Sequence, residues 1–318
     1  MQEMKVETAA LIGLGSIGSA LAPGLENALG HGNFRVIASG ERYDRLQKSG
    51  MLINDKRYDF ALAKPQEKPA TPADLIILAV KYTGLAQAIE DIQNQVGEHT
   101  VIISFLNGVT SEEIIAKAYG WEKLLYGFAR ISSYRDAKGS HFDIAKGRFY
   151  FGEKNNDAQK FSPRVAAVAE VFKKGEIPFV VPANMLREQW FKFMCNVSEN
   201  QSSAILGIPF GAWRDSEDAN FVREAAAREV IAIANRMNIA IGEDDLQAQK
   251  ESYRSRIPYG NKTSMLQDIE AGRPTEVDMF AKVVMELGQQ WGVPTPVNEI
   301  FYHSLRVLEQ KNTGFIHT

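Results

Sequence analysis

Three polar side chains, Lys192, Asn196 and Asn200, recur at four-residue intervals within the otherwise largely apolar stretch from Trp190 to Asn200. On a helix, positions i, i+4 and i+8 share one face. The start of this stretch is apolar nearly all round, which marks a buried helix, so a polar stripe along it must meet solvent, a polar partner or a cleft. A solvated edge is the plain alternative, but exposed faces carry flexible Glu and Lys more often than repeated Asn. A lysine lining a cleft has a definite chemistry open to it. Its protonated amine polarises a carbonyl and donates a proton to the oxygen as the carbon is reduced. The asparagines would fix that amine and bind substrate oxygens.

A second constellation lies near the start of the chain. Gly13-Leu14-Gly15-Ser16-Ile17-Gly18 is a GxGxxG that follows a predicted strand and opens a predicted helix. In that setting the first glycine permits a tight turn, the second lets a pyrophosphate approach the backbone, and the third lets the helix pack closely on the sheet. Pro23-Gly24 falls inside that helix, and the lost hydrogen bond predicts a kink. An NAD site usually places Asp or Glu at the end of the second strand, roughly 20 residues on. Here that strand ends Ala38-Ser39-Gly40 and continues Glu41-Arg42. A hydroxyl and a nearby arginine suit a 2′-phosphate, so NADP is favoured, with Glu41 arguing for NAD.

Two further segments carry polar groups whose plain reading is helix capping. Asn261-Lys262-Thr263-Ser264 opens a predicted helix, where Asn261 and Ser264 suit a cap. Thr275-Glu276-Val277-Asp278 reads as a capping box, with Glu276 complementing a helix dipole. Other chemistries find no footing. The five histidines (His31, His99, His141, His303 and His317) are dispersed, and none pairs at ligand spacing, so no metal is expected. There is no Gly-x-Ser-x-Gly elbow and no GxxxxGK[ST] loop. Cys195, set among aromatics, reads as packing.

These groups need elements to hold them. Up to about residue 182, runs rich in Val, Ile and Leu (Thr8 to Ile12, Arg35 to Ala38, Leu75 to Val80, Thr100 to Ser104) alternate with helical stretches (Ile17 to Leu29, Glu41 to Lys48, Thr83 to Gln95, Ser111 to Ala118). The strands lack period-2 alternation, as parallel strands buried on both faces do, and the order is that of a doubly wound α/β sheet. Leu124 to Phe151 reads as further strands with a hairpin turn at Lys146-Gly147, and Phe179 to Val181 as a last one. Helices then run to the end, at about Met185 to Ala204, Asp218 to Met237, Glu243 to Arg256, Asn261 to Ala271, Glu276 to Trp291 and Val297 to Glu309. This gives a dinucleotide-binding domain over residues 1–182 and a helical substrate domain over 183–318.

The composition agrees with that plan. A chain of 318 residues with 45% hydrophobic content has room for about two cores. A net charge of -3 gives no basic field for nucleic acid. The longest aliphatic run, Leu75 to Val80, is far short of the roughly 20 residues of a membrane span. Residues Met1 to Glu7 have no cationic start before a long apolar stretch, so no secretory leader is expected. The single cysteine suits a reducing cytoplasm.

Four blocks together resemble the ketopantoate reductase (2-dehydropantoate 2-reductase) family over essentially the whole length. They are the glycine loop, Ser104-Phe105-Leu106-Asn107-Gly108, the Trp190 to Asn200 helix, and Asn261 through Asp278. The last is the most specific, with Ser-Met-Leu-Gln-Asp-Ile followed by Thr-Glu-Val-Asp. The resemblance implies a Rossmann-type domain, a helical domain and an active site in the cleft between them. It implies Lys192 as general acid, and Glu276 as the acid that holds the substrate's hydroxyl end. Asn196, Asn200, Asn261 and Ser264 would line the substrate site, Asn107 would lie near the nicotinamide, and Lys81 would sit at another strand tip. The implied activity is NADP-dependent reduction of ketopantoate to pantoate, for pantothenate and coenzyme A synthesis. The expected partners are thus a small 2-oxo acid and, as candidate assembly, a homodimer. One departure stands out, because the family's arginine at the end of the second strand is replaced here by Ser39. An NAD-linked D-2-hydroxyacid dehydrogenase of the same fold, acting on branched or aromatic 2-oxo acids, therefore stays open. So does a non-catalytic dinucleotide-binding redox sensor.

Overall fold

The computed structural model describes residues 4–136, 139–255 and 257–316. The chain divides into two compact units, Met1–Leu186 and Arg187–Thr318. Strands of the first unit are β1 (Ala9–Ile12), β2 (Phe34–Ile37), β3 (Met51–Ile53), β4 (Lys56–Tyr58), β5 (Leu62–Ala63), β6 (Leu75–Leu78), β7 (Val101–Ser104), β8 (Leu124–Arg130), β9 (Ser133–Asp136), β10 (Gly139–Phe142), β11 (Arg148–Gly152) and β12 (Phe179–Val180). Its helices are α1 (Ser16–Leu29), α2 (Gly40–Ser49), α3 (Leu85–Asp91), α4 (Ser111–Tyr119) and α5 (Pro163–Lys174).

Eight strands form the main sheet in the order β12-β11-β8-β7-β6-β1-β2-β5. Every neighbouring pair is parallel except β8 with β11. From β5 inward to β8 this is the doubly wound 3-2-1-4-5-6 arrangement, with its switch point between β1 and β6. Successive residues serve opposite faces. Ala9, Leu11, Leu75 and Ile77 join a core with Leu21 and Leu25 of α1 and Val168 and Phe172 of α5. Ala10, Ile12, Ile76 and Leu78 join one with Leu85 of α3 and Ile115 of α4. Both faces are covered, which is why the strand sequences show no alternation.

Several local expectations need correction. The Lys146-Gly147 hairpin does not form. Ile144–Lys146 is a single 3-10 turn joining β10 to β11, which belong to different sheets. Of a second sheet, β4-β3-β10-β9, β9 and β10 fall within the stretch from Leu124 to Phe151 expected as strands, whereas β3 and β4 were not expected. The Thr83 to Gln95 helix is three short pieces, with α3 flanked by 3-10 turns. Pro23 lies inside α1 without ending it, the helix continuing to Leu29. Gly24 has a packing reason, since a Cβ there would fall 2.7 Å from the carbonyl oxygen of Gly175, just after α5, and against Ile177.

The second unit is helical among its described residues. It holds most of α6 (Met185–Leu206), then α7 (Ala212–Asp215), α8 (Glu217–Arg236), α9 (Glu243–Ser255), α10 (Ser264–Glu270), α11 (Ala281–Trp291) and α12 (Pro296–Asn312). Arg256, the expected end of α9, lies outside the described residues, as does His317. None of the described helices is long and apolar enough to cross a membrane.

Candidate active site in two parts

In the first unit, the sequence-predicted residues collect at one edge of the sheet. β2, β1, β6 and β7 are adjacent, parallel and in register, with Ile12 opposite both Ile37 and Leu78, and Leu78 opposite Ser104. Their carboxyl ends lead into Ser39, Gly13, Lys81 and Asn107 respectively. That edge at the switch point is where an open α/β sheet binds its ligand.

The glycine loop fits a dinucleotide on its own geometry. Gly13 has φ +100, and a Cβ there would lie 2.6 Å from the Ala79 backbone at the end of β6, so the turn excludes a side chain on two counts. A Cβ on Gly18 would fall on the Gly13 carbonyl oxygen. At Gly15, by contrast, a Cβ would meet only the Ala79 oxygen at 3.8 Å. Protein packing therefore does not demand glycine at 15, whereas close approach of a pyrophosphate would. Gly15 is the N-cap of α1 with no side-chain cap, and the first turn holds no acidic residue, so the amides of Ser16, Ile17 and Gly18 form an anion-favouring helix start. Leu14 is buried beneath the loop. Ser39 occupies the N-cap of α2 without capping it, and Ser39, Glu41, Arg42 and Lys81 are all exposed.

In the second unit, α6 presents Lys192 and Asn196 half-buried, and Asn200 buried at 8% exposure. The flank beside them is occupied by a charged cluster. The fully buried Arg223 of α8 donates to Gln249 Oε1 at 2.9 Å and Asn220 Oδ1 at 3.2 Å, and Gln249 donates to Glu199 of α6. Burial pushes the Arg223 guanidinium below its ordinary value, and Glu199 and Glu224 pull it back up. Cys195, on the same flank, is half-buried rather than buried.

The capping readings fail at both remaining segments. α10 is capped by Thr263, whose side chain accepts from Leu266 N–H, so neither Asn261 nor Ser264 holds that role. Both are exposed, Asn261 ahead of α10 and Ser264 on its first residue. α11 begins at Ala281, not Glu276. Glu276 stands in a turn before it, its carbonyl accepting from Met279 and Phe280 N–H, and is half-buried. Thr275 anchors that turn, its N–H and Oγ1 both donating to Glu309 Oε1 of α12 at 2.8 and 2.7 Å.

Two contacts bring this turn to α6. Phe193, next to Lys192, packs on Phe280 with ring centroids 6.4 Å apart. Gln201, on the far side of α6 from Lys192 and fully buried, accepts the Ala281 N–H at 3.1 Å. Its Nε2 donates to Val197 O at 2.9 Å and Asn298 Oδ1 at 3.2 Å. Asn298 Nδ2 in turn donates to Glu229 Oε2 at 2.7 Å, and Glu229 also accepts the first-turn amides of Val297 and Asn298 on α12. Sequence reasoning passed over Gln201, although a long polar side chain at a core position is itself a signal.

Comparison with known proteins agrees with this architecture. Residues 9–156 match the family model of ketopantoate reductase PanE/ApbA. Residues 184–309 match the model of its C-terminal domain. The chain belongs to the ketopantoate reductase family. It is an oxidoreductase that uses a nicotinamide cofactor. A 2-dehydropantoate 2-reductase of Mesorhizobium japonicum is 28% identical to it over 324 residues, covering 90% of this chain and 93% of that one. YkpB of Bacillus subtilis, an uncharacterized oxidoreductase, is 26% identical over 305 residues, covering 94% and 98%. In three dimensions the chain resembles a D-mandelate dehydrogenase solved with NADH and anilino(oxo)acetate, with a TM-score of 0.84 at 20% identity over 96% of this chain and 99% of that one.

Proposed function

We propose that this member of the family reduces a small 2-oxo acid to its 2-hydroxy acid, with 2-dehydropantoate as substrate and pantoate as product. The observation carrying this reading is the lysine–asparagine stripe on α6, paired in one chain with a glycine loop at the sheet's switch point. The nicotinamide, when bound, supplies hydride to the carbonyl carbon. The amides that open α1 would hold its pyrophosphate, with Asn107 and Lys81 at neighbouring strand tips. Lys192 would polarise the carbonyl and give its proton to the nascent alkoxide. Glu276 would accept a hydrogen bond from the distal hydroxyl, and Asn196, Asn200, Asn261 and Ser264 would orient the carboxylate and the remaining oxygens. Residues 1–182 serve the cofactor and 183–318 the substrate.

NADP is the cofactor this reading favours, because exposed Ser39 and Arg42 follow the tip of β2 and suit a 2′-phosphate. A second reading rests on Ser39 standing where the resemblance places an arginine. It makes the chain an NADH-linked D-2-hydroxyacid dehydrogenase for branched or aromatic acids, and the likeness to a D-mandelate dehydrogenase supports it. A cytoplasmic location suits the single cysteine. A homodimer is the expected assembly, and sedimentation checks it. The deciding experiment is oxidation of NADPH and NADH in parallel against ketopantoate, 2-oxoisovalerate and an aromatic 2-oxo acid. Efficient turnover of ketopantoate with NADPH supports the first reading. NADH with a branched or aromatic acid supports the second, and dinucleotide binding with no turnover of any of the three acids overturns both.

A further inference from the structure

At the tip of β7 a buried carboxylate is wired to the backbone that carries Asn107. Ser111 and Glu112 open α4, each only 2% exposed. Ser111 Oγ donates to Glu112 Oε2 at 3.0 Å, Ser104 Oγ lies 2.8 Å from Ser111 Oγ, and Leu106 N–H donates to Ser104 Oγ at 3.3 Å. A hydroxyl has one proton to give. Since Ser111 gives its proton to the carboxylate, Ser104 must supply the proton shared between the two serines. Its lone pairs are then turned to Leu106. The chain therefore has a fixed sense, from the Leu106 amide through two hydroxyls to Glu112. The other carboxylate oxygen accepts Gly127 N–H at 3.4 Å, where β8 passes the end of β7. A Cβ on Gly127 would lie 2.6 Å from Ser104 O, so β8 closes directly on that strand end.

An apolar residue would fill this site at lower desolvation cost, and the start of α4 offsets only part of it. What the carboxylate adds is direction. We propose that Glu112 is a positioning residue for cofactor binding, acting through Ser111 and Ser104 to hold the Phe105–Gly108 turn, and with it Asn107, toward the nicotinamide end of the dinucleotide. This rests on the reading that the β7 tip serves that end.

The test compares whole dinucleotides with fragments lacking nicotinamide. Affinities of NADPH, NADH, 2′-phospho-ADP-ribose and ADP-ribose are measured for the unsubstituted chain and for Glu112→Met, which leaves Ser111 no acceptor there, Ser104→Ala and the double variant. Each single variant should weaken the preferred dinucleotide about tenfold, the equivalent of one buried hydrogen bond. Its fragment should be held as before, and the double variant should add nothing, since both changes cut one chain. Equal weakening of dinucleotide and fragment overturns the proposal, as does no change in either. If Glu112→Met fails to fold, Ser104→Ala carries the same comparison. If the unsubstituted chain binds no dinucleotide, the cofactor reading itself falls and takes this inference with it.

Discussion

Replacing Gln201 by leucine should loosen the Glu276 turn without touching either part of the candidate site. Leucine is close in volume, so the change removes hydrogen bonds rather than packing. Two buried groups lose a partner, the Ala281 N–H and Asn298 Oδ1. The Val197 carbonyl keeps its place in the helix ladder. At about 1–3 kcal/mol for each buried group left unsatisfied, less about 1–2 kcal/mol for the added apolar burial, the net loss centres on about 2.5 kcal/mol. That is a large share of the roughly 5–15 kcal/mol that holds a typical protein together. The loss falls where α6, α11 and α12 meet, so hydrogen exchange at the Ala281 amide reports it directly, with about a hundredfold faster exchange expected. The KM for the 2-oxo acid should rise several-fold while that for the dinucleotide holds. Gln201→Glu should not rescue, because it sets a carboxylate oxygen against Asn298 Oδ1. Exchange within threefold of the parent, or a rise confined to the dinucleotide KM, would refute the reasoning.

Other expected outcomes are simpler. Lys192→Ala should lower kcat about 10²–10⁴-fold, the usual contribution of a general acid, with the dinucleotide Kd unchanged; a fall below tenfold removes Lys192 from that role. Gly18→Ala must part the start of α1 from the Gly13 carbonyl and should abolish tight dinucleotide binding. Gly24→Ala, which presses on Ile177 and Gly175, should cost about 1–3 kcal/mol of stability by overpacking yet leave cofactor affinity intact. Calorimetry and binding together separate the two. Burial, then Glu112 and Glu113, push the Tyr126 hydroxyl up from 10.0 to about 12. The neutral phenol is thus favoured in the folded chain, and its contribution is complete below pH 10 and lost as the pH rises toward 12. Tyr126→Phe should flatten the stability decline across that window in alkaline unfolding curves, and an unaltered slope would remove Tyr126 from that decline.

Legibility in the sequence followed the range of the interactions. β1, β6 and β7 are written as unbroken aliphatic runs because both of their faces are covered, and the glycine loop is written in its own spacing. Of the small sheet, β9 and β10 fall in a stretch that reads as strand, but β3, β4 and the pairing do not. Its strands are three or four residues long, and β3 and β10 are joined in part by Asn54, whose side chain bonds both the N–H and the carbonyl of Phe142, 88 residues away. No local pattern encodes such a partner. The start of α11 was misplaced for a related reason. Thr275-Glu276-Val277-Asp278 has capping chemistry, but the first amide of the helix is satisfied by Gln201 from α6. Around α10 the error was one of identity, since Thr263 caps and leaves Asn261 and Ser264 available. The stripe of Lys192, Asn196 and Asn200 was legible because helical periodicity alone places it.

The contact between Gly24 and Gly175 has a further consequence. Because a methyl group cannot fit between the middle of α1 and the end of α5, α1 is clamped about two turns beyond the amides that open it. Those amides are aimed before any anion arrives. Binding at that end then costs little ordering entropy, and capture of the diphosphate can run close to the rate of encounter.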